Sequence, residues 1–377
     1  MSAVGIAKRS IACFFNFRVR MILHKKVKAI ERLQTRKYAW QNPSPEILSS
    51  YRKLWEKTGY KADPAWLKMY GNISGNWDHR YIPETLYYIV AEPCLNNKSF
   101  SKCFSDKNLS SLFIGEFELP CILASNIEGV YYDEGFNIND FQHIKEQIFS
   151  QKEFIIKPAT DSGGGKDVTL WKTEGEKLIS SKGEVLTFPG LLEKYRKNFV
   201  IQKVIDQHPF YKQFNDSSVN TLRVFTYRSP VTEEVHLLHY ILRVGAPGMV
   251  TDNQASGGFA CGVTKDGKLS GVAVDKKGNR YNSINGIVLD KNLRLEFFDE
   301  ISDTVKRAAR KFYYSRLLGF DICVDKDGKI IIIEVNNQNN EINFYQMTEG
   351  PLFGEYTGEV VDWCAKNRRT FMIDYEI

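Results

Sequence analysis

The chain has 377 residues, a formal net charge of +6, and 25% charged and 13% aromatic residues. That length predicts two or three domains rather than one core, and a composition without low-complexity tracts excludes a disordered or fibrous protein. No run approaches about 18 uninterrupted apolar residues, so no transmembrane helix is predicted.

Residues 1–40 hold ten Lys or Arg (8, 9, 18, 20, 25, 26, 28, 32, 36, 37) and one acid, Glu31, giving +9. The remainder, with 41 basic and 44 acidic residues, stands at −3. Ile11 to Phe17 is apolar but is followed by Arg18 and Arg20. It is too short for a span, and no small-residue cleavage site follows, so a signal peptide is not expected. Leu23 to Lys37 reads as a helix with Val27, Ile30 and Leu33 among basic residues. Such a basic, Phe-rich segment suits an anionic membrane surface. Its plainer reading is a solvated helix with an apolar stripe packed on the body. Nucleic-acid binding is not expected, because the basic excess stops at residue 40. Seven cysteines (13, 94, 103, 121, 261, 323, 364) form no CxxC. They point to reduced thiols and a cytoplasmic location; the membrane reading of residues 1–40 would add peripheral contact on the inner face of the membrane.

Ser44-Pro45-Glu46 signals a helix start, with the helix running to about Thr58 and ending at Gly59. Residues 66–77 mix aromatics with glycine. Pro83 heads a further helix through Leu86, Ile89 and Val90, and Asp106-Lys107-Asn108 opens a short amphipathic run. Strands are predicted over 120–124 and 129–132, then a helix over 138–150. From Phe154 onward strand signals dominate: 154–157, 167–171, 199–205, 220–228, 234–244, and a hairpin of 257–264 with 269–274. Ile301, Val305, Ala308 and Phe312 share one face of a helix predicted over 297–314, and 359–366 is the last helix. Antiparallel hairpins without βαβ repeats make the fold class α+β.

Three constellations carry chemistry. The first is Gly319 to Asn337, a hairpin around Asp325-Lys326-Asp327-Gly328. Pairing Val324 with Lys329 sets Asp321 opposite Ile332, diagonal to Glu334, a separation of roughly 7–8 Å. Asp321, Glu334 and Asn336 then converge, and such oxygen ligands suit Mg²⁺ beside phosphates; structural acids paired to Lys or Arg are the alternative. The second is Lys157 at a strand end, followed by Thr160-Asp161-Ser162-Gly163-Gly164-Gly165-Lys166. Adjacent glycines leave N–H groups free to face an anion, although a plain flexible loop reads the same. With strands on both sides, this is neither a Walker A loop nor a Rossmann turn. The third is a pair of strand arginines, Arg223 and Arg243, flanked by apolar residues and therefore in need of an anion.

The order of these parts resembles the ATP-grasp superfamily and, more finely, its sugar-transfer-associated family found with capsule and surface-polysaccharide genes. The segments are Tyr81-Ile-Pro83, Asp106-Lys-Asn108, Phe154-Ile-Ile-Lys-Pro158, Ser218-Val-Asn-Thr-Leu-Arg223, Asp252-Asn253 with Gly257-Gly258, and Phe320-Asp321 with Glu334-Val-Asn336. The resemblance implies two α+β subdomains clasping ATP behind an N-terminal mixed region. The layout is then a basic segment 1–42, an N-terminal domain 43–135, a small subdomain 136–205 with the glycine loop, and a large subdomain 206–377 with the metal site. It implies ATP held by Lys107, Lys157 and the Ser162, Gly163, Gly164 and Gly165 loop. Adenine would lie along Gln202, Lys203, Val204 and Ile205, with His208 or Asp206 near the ribose. Asp321, Glu334 and Asn336 would bind Mg²⁺, and Arg243, with Arg223 and Lys157, would stabilise the transferring charge. Where relatives carry Pro-Gly, Asn337-Gln338-Asn339-Asn340 follows here. The implied activity is carboxylate–amine ligation through an acyl phosphate, on a sugar carboxylate of surface polysaccharide. A phosphotransferase, or a nucleotide-binding scaffold of a glycosyltransferase complex, are the alternatives.

Overall fold

The computed structural model describes residues 3–160, 167–252 and 257–367. The chain opens with one helix, α1 (Ala3–Thr35), whose 33 residues make it about 50 Å long. It starts well before the expected Leu23. Leu23, Val27 and Ile30 recur at helical spacing and are buried in the largest apolar cluster. Taking each of them out of water contributes about 1.5–3 kcal/mol. Leu33 is exposed; Gln34 takes the buried place and donates to the Lys277 carbonyl at 2.7 Å. Among the described residues no helix is long and apolar enough to cross a membrane.

Helix α2 (Pro45–Trp55) begins where its cap signals say. The Ser44 side chain accepts from the Ile47 N–H, and Gly59 stops the following turn in the left-handed region at φ 92°. The mixed segment 66–77 is mostly helix, α3 (Pro64–Ser74). Its signature was Asp63-Pro64: Asp63 accepts from the Ala65 N–H, and Pro64 takes the first helical position. Gly71 within α3 is there for close approach, since a Cβ would meet the Trp77 ring at 2.4 Å.

Two seven-stranded antiparallel sheets follow. The first contains β1 (Ile122–Ile127), β2 (Val130–Tyr132), β3 (Glu153–Pro158), β4 (Thr169–Glu174), β5 (Lys177–Ser180), β6 (Val185–Leu186) and β7 (Phe199–Lys203), in the order β2-β1-β7-β3-β4-β5-β6. The expected boundary at residue 135 falls inside this unit, because β1 pairs with β7, Ser125 opposite Val200. The second contains β8 (Thr221–Arg228), β9 (Val235–Val244), β10 (Phe259–Val263), β11 (Leu269–Val274) and β12 (Arg280–Tyr281). After a small hairpin of β13 (Ser283–Ile284) and β14 (Ile287–Val288), it is completed by β15 (Leu317–Val324) and β16 (Ile330–Asn336). Its order is β12-β11-β10-β9-β8-β15-β16.

Strand alternation sorts the side chains. In β3, Phe154 and Ile156 enter the core beneath the helices Phe141–Phe149 and Phe188–Tyr195, which leaves Ile155 and Lys157 on the other face. In the second sheet, Val224, Leu242 and Phe320 pack toward the helix Phe298–Ala309. Phe225, Tyr227, Ile241 and Leu317 pack toward the N-terminal helices.

Candidate active site

The free faces of the two sheets and the end of α1 enclose a cavity of about 500 Å³. Seven basic side chains line it (Lys26, Lys107, Lys157, Lys203, Arg223, Arg243, Lys276) against four acids (Asp252, Asp321, Glu334, Glu341). The excess positive charge favours an anionic occupant.

Among the described residues, Lys157 is the sole buried cation on the first sheet's wall, at 7% exposure. Among the described residues it has no hydrogen-bond or ion-pair partner. Burial lowers its ammonium pKa to about 8, against the pull of Glu334 and with a push from Lys107. A buried charge so placed is costly until an anion meets it. Lys107 reaches the same space from the turn before the helix Ser110–Ile114. Its N–H donates to the Ala159 carbonyl at 3.0 Å, and its Nζ lies 3.0 Å from Glu334 Oε1.

On the opposite wall the hairpin register differs from the one expected. Val324 pairs with Ile330 and Ile322 with Ile332, but Asp321 pairs with Glu334. Ile333 is therefore an extra residue, a β-bulge. Without it, Ile333 would face Asp321. With it, the two carboxylates stand directly across the strands, and Asn336 follows on the same face, its Nδ2 3.4 Å from Asp321 Oδ2.

Asp321 is already heavily engaged. Arg223 grips both its oxygens, with Nε 2.6 Å from Oδ1, and Arg243 Nη1 adds a contact at 3.1 Å. Burial would raise the Asp321 carboxyl, but the two arginines outweigh it and hold its pKa down at about 2. Arg243 Nη2 also pairs with Asp252 at 3.1 Å, and Asp252 is anchored by the Thr221 N–H and hydroxyl. Burial holds the Asp252 carboxyl above its ordinary value. The paired-acid alternative is thus what this structure contains for Asp321. Glu334 Oε2 and Asn336 Oδ1 have no partner among the described residues, and both side chains line the cavity. That donor set fits a hard cation shared with phosphate oxygens, with Asp321 joining only by giving up an arginine contact. No cluster of three or more His, Cys, Asp or Glu able to hold a metal occurs among the described residues.

Of the residues expected along adenine, Gln202, Lys203 and Ile205 line the cavity and Val204 does not. The Val204 and Ile205 N–H groups, just beyond β7, have no hydrogen-bond partner among the described residues. The His208 ring lies against Phe297 at 5.1 Å, and its Nδ1 accepts from the Phe210 N–H and faces Glu296 at 3.5 Å. It caps the turn Pro209–Lys212 and does not line the cavity. Asp206 is likewise outside the cavity and lies 3.6 Å from Lys212. Ser162, Gly163, Gly164 and Gly165 lie outside the described residues.

Sequence reasoning missed the wall at the far end. It comprises Lys26 and Ile30 of α1, Tyr88, and Asn339, Asn340, Glu341, Asn343, Phe344 and Met347. Lys26 pairs with Glu84 at 2.7 Å; Asn343 donates to Glu84 at 2.8 Å and accepts from the Tyr70 hydroxyl at 2.6 Å. The asparagines that follow β16 tie this wall down. Asn337 donates to the Ser101 carbonyl at 2.6 Å, and the Asn340 N–H reaches Glu92 at 3.2 Å. No local pattern marks Lys26 or Tyr88, because more than 200 residues separate them from the asparagines they face. The Asp63-Pro64 cap, which reveals α3, was the nearest usable signal.

A profile of the sugar-transfer associated ATP-grasp family matches residues 91–357. The chain belongs to that family. Lys26, Ile30 and Tyr88 fall outside the matched stretch. A search of curated proteins found no match. Among solved structures, the ATP-grasp ligase PsnB, complexed with a phosphomimetic variant of its minimal precursor, Mg and ADP, is 12% identical with a TM-score of 0.39, covering 71% of this chain and 61% of that one. A Campylobacter jejuni biotin carboxylase–β,γ-ATP complex is 12% identical with a TM-score of 0.40, covering 69% and 46%. The Thermotoga maritima N5-carboxyaminoimidazole ribonucleotide synthetase is 8% identical with a TM-score of 0.36, covering 68% and 50%. This chain spans about half to three-fifths of these proteins' own lengths.

Proposed function

We infer that this ATP-grasp family member is an ATP- and Mg²⁺-dependent carboxylate–amine ligase. The observation that carries the reading is Lys157, a buried cation without an anionic partner among the described residues, aimed into a cationic cavity opposite Glu334. Lys157 and Lys107 would bind polyphosphate oxygens, and the open N–H groups after β7 would hold the base edge. Glu334 and Asn336 would hold Mg²⁺, which neutralises phosphate charge when bound. Arg243, fixed by Asp252, sits where charge develops as a carboxylate oxygen of the acceptor attacks the γ-phosphorus and ADP departs. An amine then attacks the acyl carbon of the acyl phosphate, loses its proton, and phosphate leaves. The Lys26–Asn343 end is the acceptor's place. Its amides and its Lys26 and Lys276 ammoniums suit a hydroxyl-rich carboxylate such as a hexuronic acid of surface polysaccharide.

The test is ADP release across a panel of sugar carboxylates with and without amines. A ligase releases ADP with one acceptor–amine pair, and Glu334→Gln lowers that rate on the order of a hundredfold. ADP release with a stable phosphorylated product and no need of an amine would make it a phosphotransferase. Failure of wild type to bind any ATP analogue with Mg²⁺ would overturn the nucleotide site itself.

A further inference from the structure

Helix α1 is apolar on two opposite sides. Asn16, Leu23, Val27 and Ile30 face the body and are buried. Around the other side run Phe14, Phe17, Arg18, Met21, Ile22 and Lys25, spaced i, i+3, i+4, i+7, i+8 and i+11, which makes one continuous stripe. Among the described residues nothing covers this stripe: Phe14, Phe17 and Ile22 are each 58% exposed and Met21 44%. The ion pairs of α1 with the body use His24, Lys26 and Glu31, while Arg18 and Lys25 have no acidic partner among the described residues.

We propose that this outer stripe is a docking surface for an anionic lipid bilayer, on which α1 lies flat. Two phenylalanines, Met21 and Ile22 would enter the boundary between headgroups and acyl chains, and Arg18 and Lys25 would meet lipid phosphates. Charge decides for a bilayer over a second copy of this chain. Residues 1–40 carry +9 and the rest is near neutral at −3, so two copies brought together on this face would repel. A surface of lipid phosphates attracts the same segment. The helix also carries Lys26 into the cavity, about 18 Å further along its axis than Phe14. Docking would therefore hold one end of the cavity near the membrane. None of the six stripe residues lines the cavity, so the proposal stands apart from the ligase reading.

The test is co-sedimentation of the full chain with vesicles of phosphatidylcholine containing phosphatidylglycerol, and with vesicles of phosphatidylcholine alone. The expected result is binding to the anionic vesicles that weakens with salt. It should fall on the order of tenfold in Phe14→Ser/Phe17→Ser and again in Arg18→Glu/Lys25→Glu, with thermal unfolding unchanged in both. Absence of wild-type binding, or equal binding to neutral vesicles, overturns the proposal. So does a wild-type dimer in sedimentation velocity that is lost in Phe14→Ser/Phe17→Ser.

Discussion

The two walls of the cavity treat buried cations in opposite ways. On the second sheet, Arg223 and Arg243 are held by Asp321 and Asp252 in a paired network of charge, with Arg243 Nε unbonded among the described residues. On the first sheet, Lys157 at the end of β3 has no anionic partner among the described residues, and burial lowers its pKa to about 8. A network whose charges are paired fixes geometry and calls for a ligand less strongly. An unmatched buried charge is a deficit that a ligand can fill. The polyphosphate is thus expected to bind chiefly through the first sheet, and the second sheet to act as a pre-oriented frame.

Removing a carboxylate from the paired network tests this most severely. Asp321→Asn leaves Arg223 without its anion and should cost about 3–5 kcal/mol of stability, read from urea unfolding. A cost under about 1 kcal/mol would mean that water or another group already serves the arginines, and the contrast between the walls would fail. Lys157→Met should do the reverse. Affinity for an ATP analogue should fall by about 1.5–3 kcal/mol, while stability holds or rises because a lone buried charge is gone. Equal losses in both would make Lys157 structural. The smallest effect is on pH. The folded-state pKa of Lys157, about 8, lies below the unfolded value of 10.5, so the folded protein gains stability as pH rises between them. Binding an anion must restore the proton. Analogue affinity should therefore weaken above pH 8, by up to about tenfold per unit, with proton uptake visible by calorimetry in two buffers and absent in Lys157→Met.

Much of the fold was legible where signals are local. Ser44-Pro45 capped its helix as expected, and Lys265-Asp266-Gly267 turned its hairpin, with Gly267 at φ 83°. Lys157 drew notice in the sequence as a lone lysine in an apolar strand, and the structure places it, buried, on the cavity wall. The remainder was hidden for physical reasons. His208 is engaged by the Phe210 N–H and Phe297, a capping demand that its sequence neighbours do not display. Arg243 could be recognised as needing an anion, yet which anion depended on strand order, which set β9, β8 and β15 side by side. Lys26 and Asn343 meet through tertiary packing alone.

The bulge at Ile333 has a consequence for how this site can change over generations. Ile330 to Ile333 are four identical residues, so their side chains do not mark which of them is the extra one. Losing one would leave Glu334 opposite Asp321 in a regular ladder, whereas smoothing the bulge out with all four kept would set Ile333 against Asp321 and turn Glu334 and Asn336 to the opposite face of β16, into the core beneath the helix Phe298–Ala309. The site tolerates exchange of those isoleucines for other apolar residues, or the loss of one, far better than a regular pairing of all four. What heredity must preserve there is a pairing, not the names of the residues.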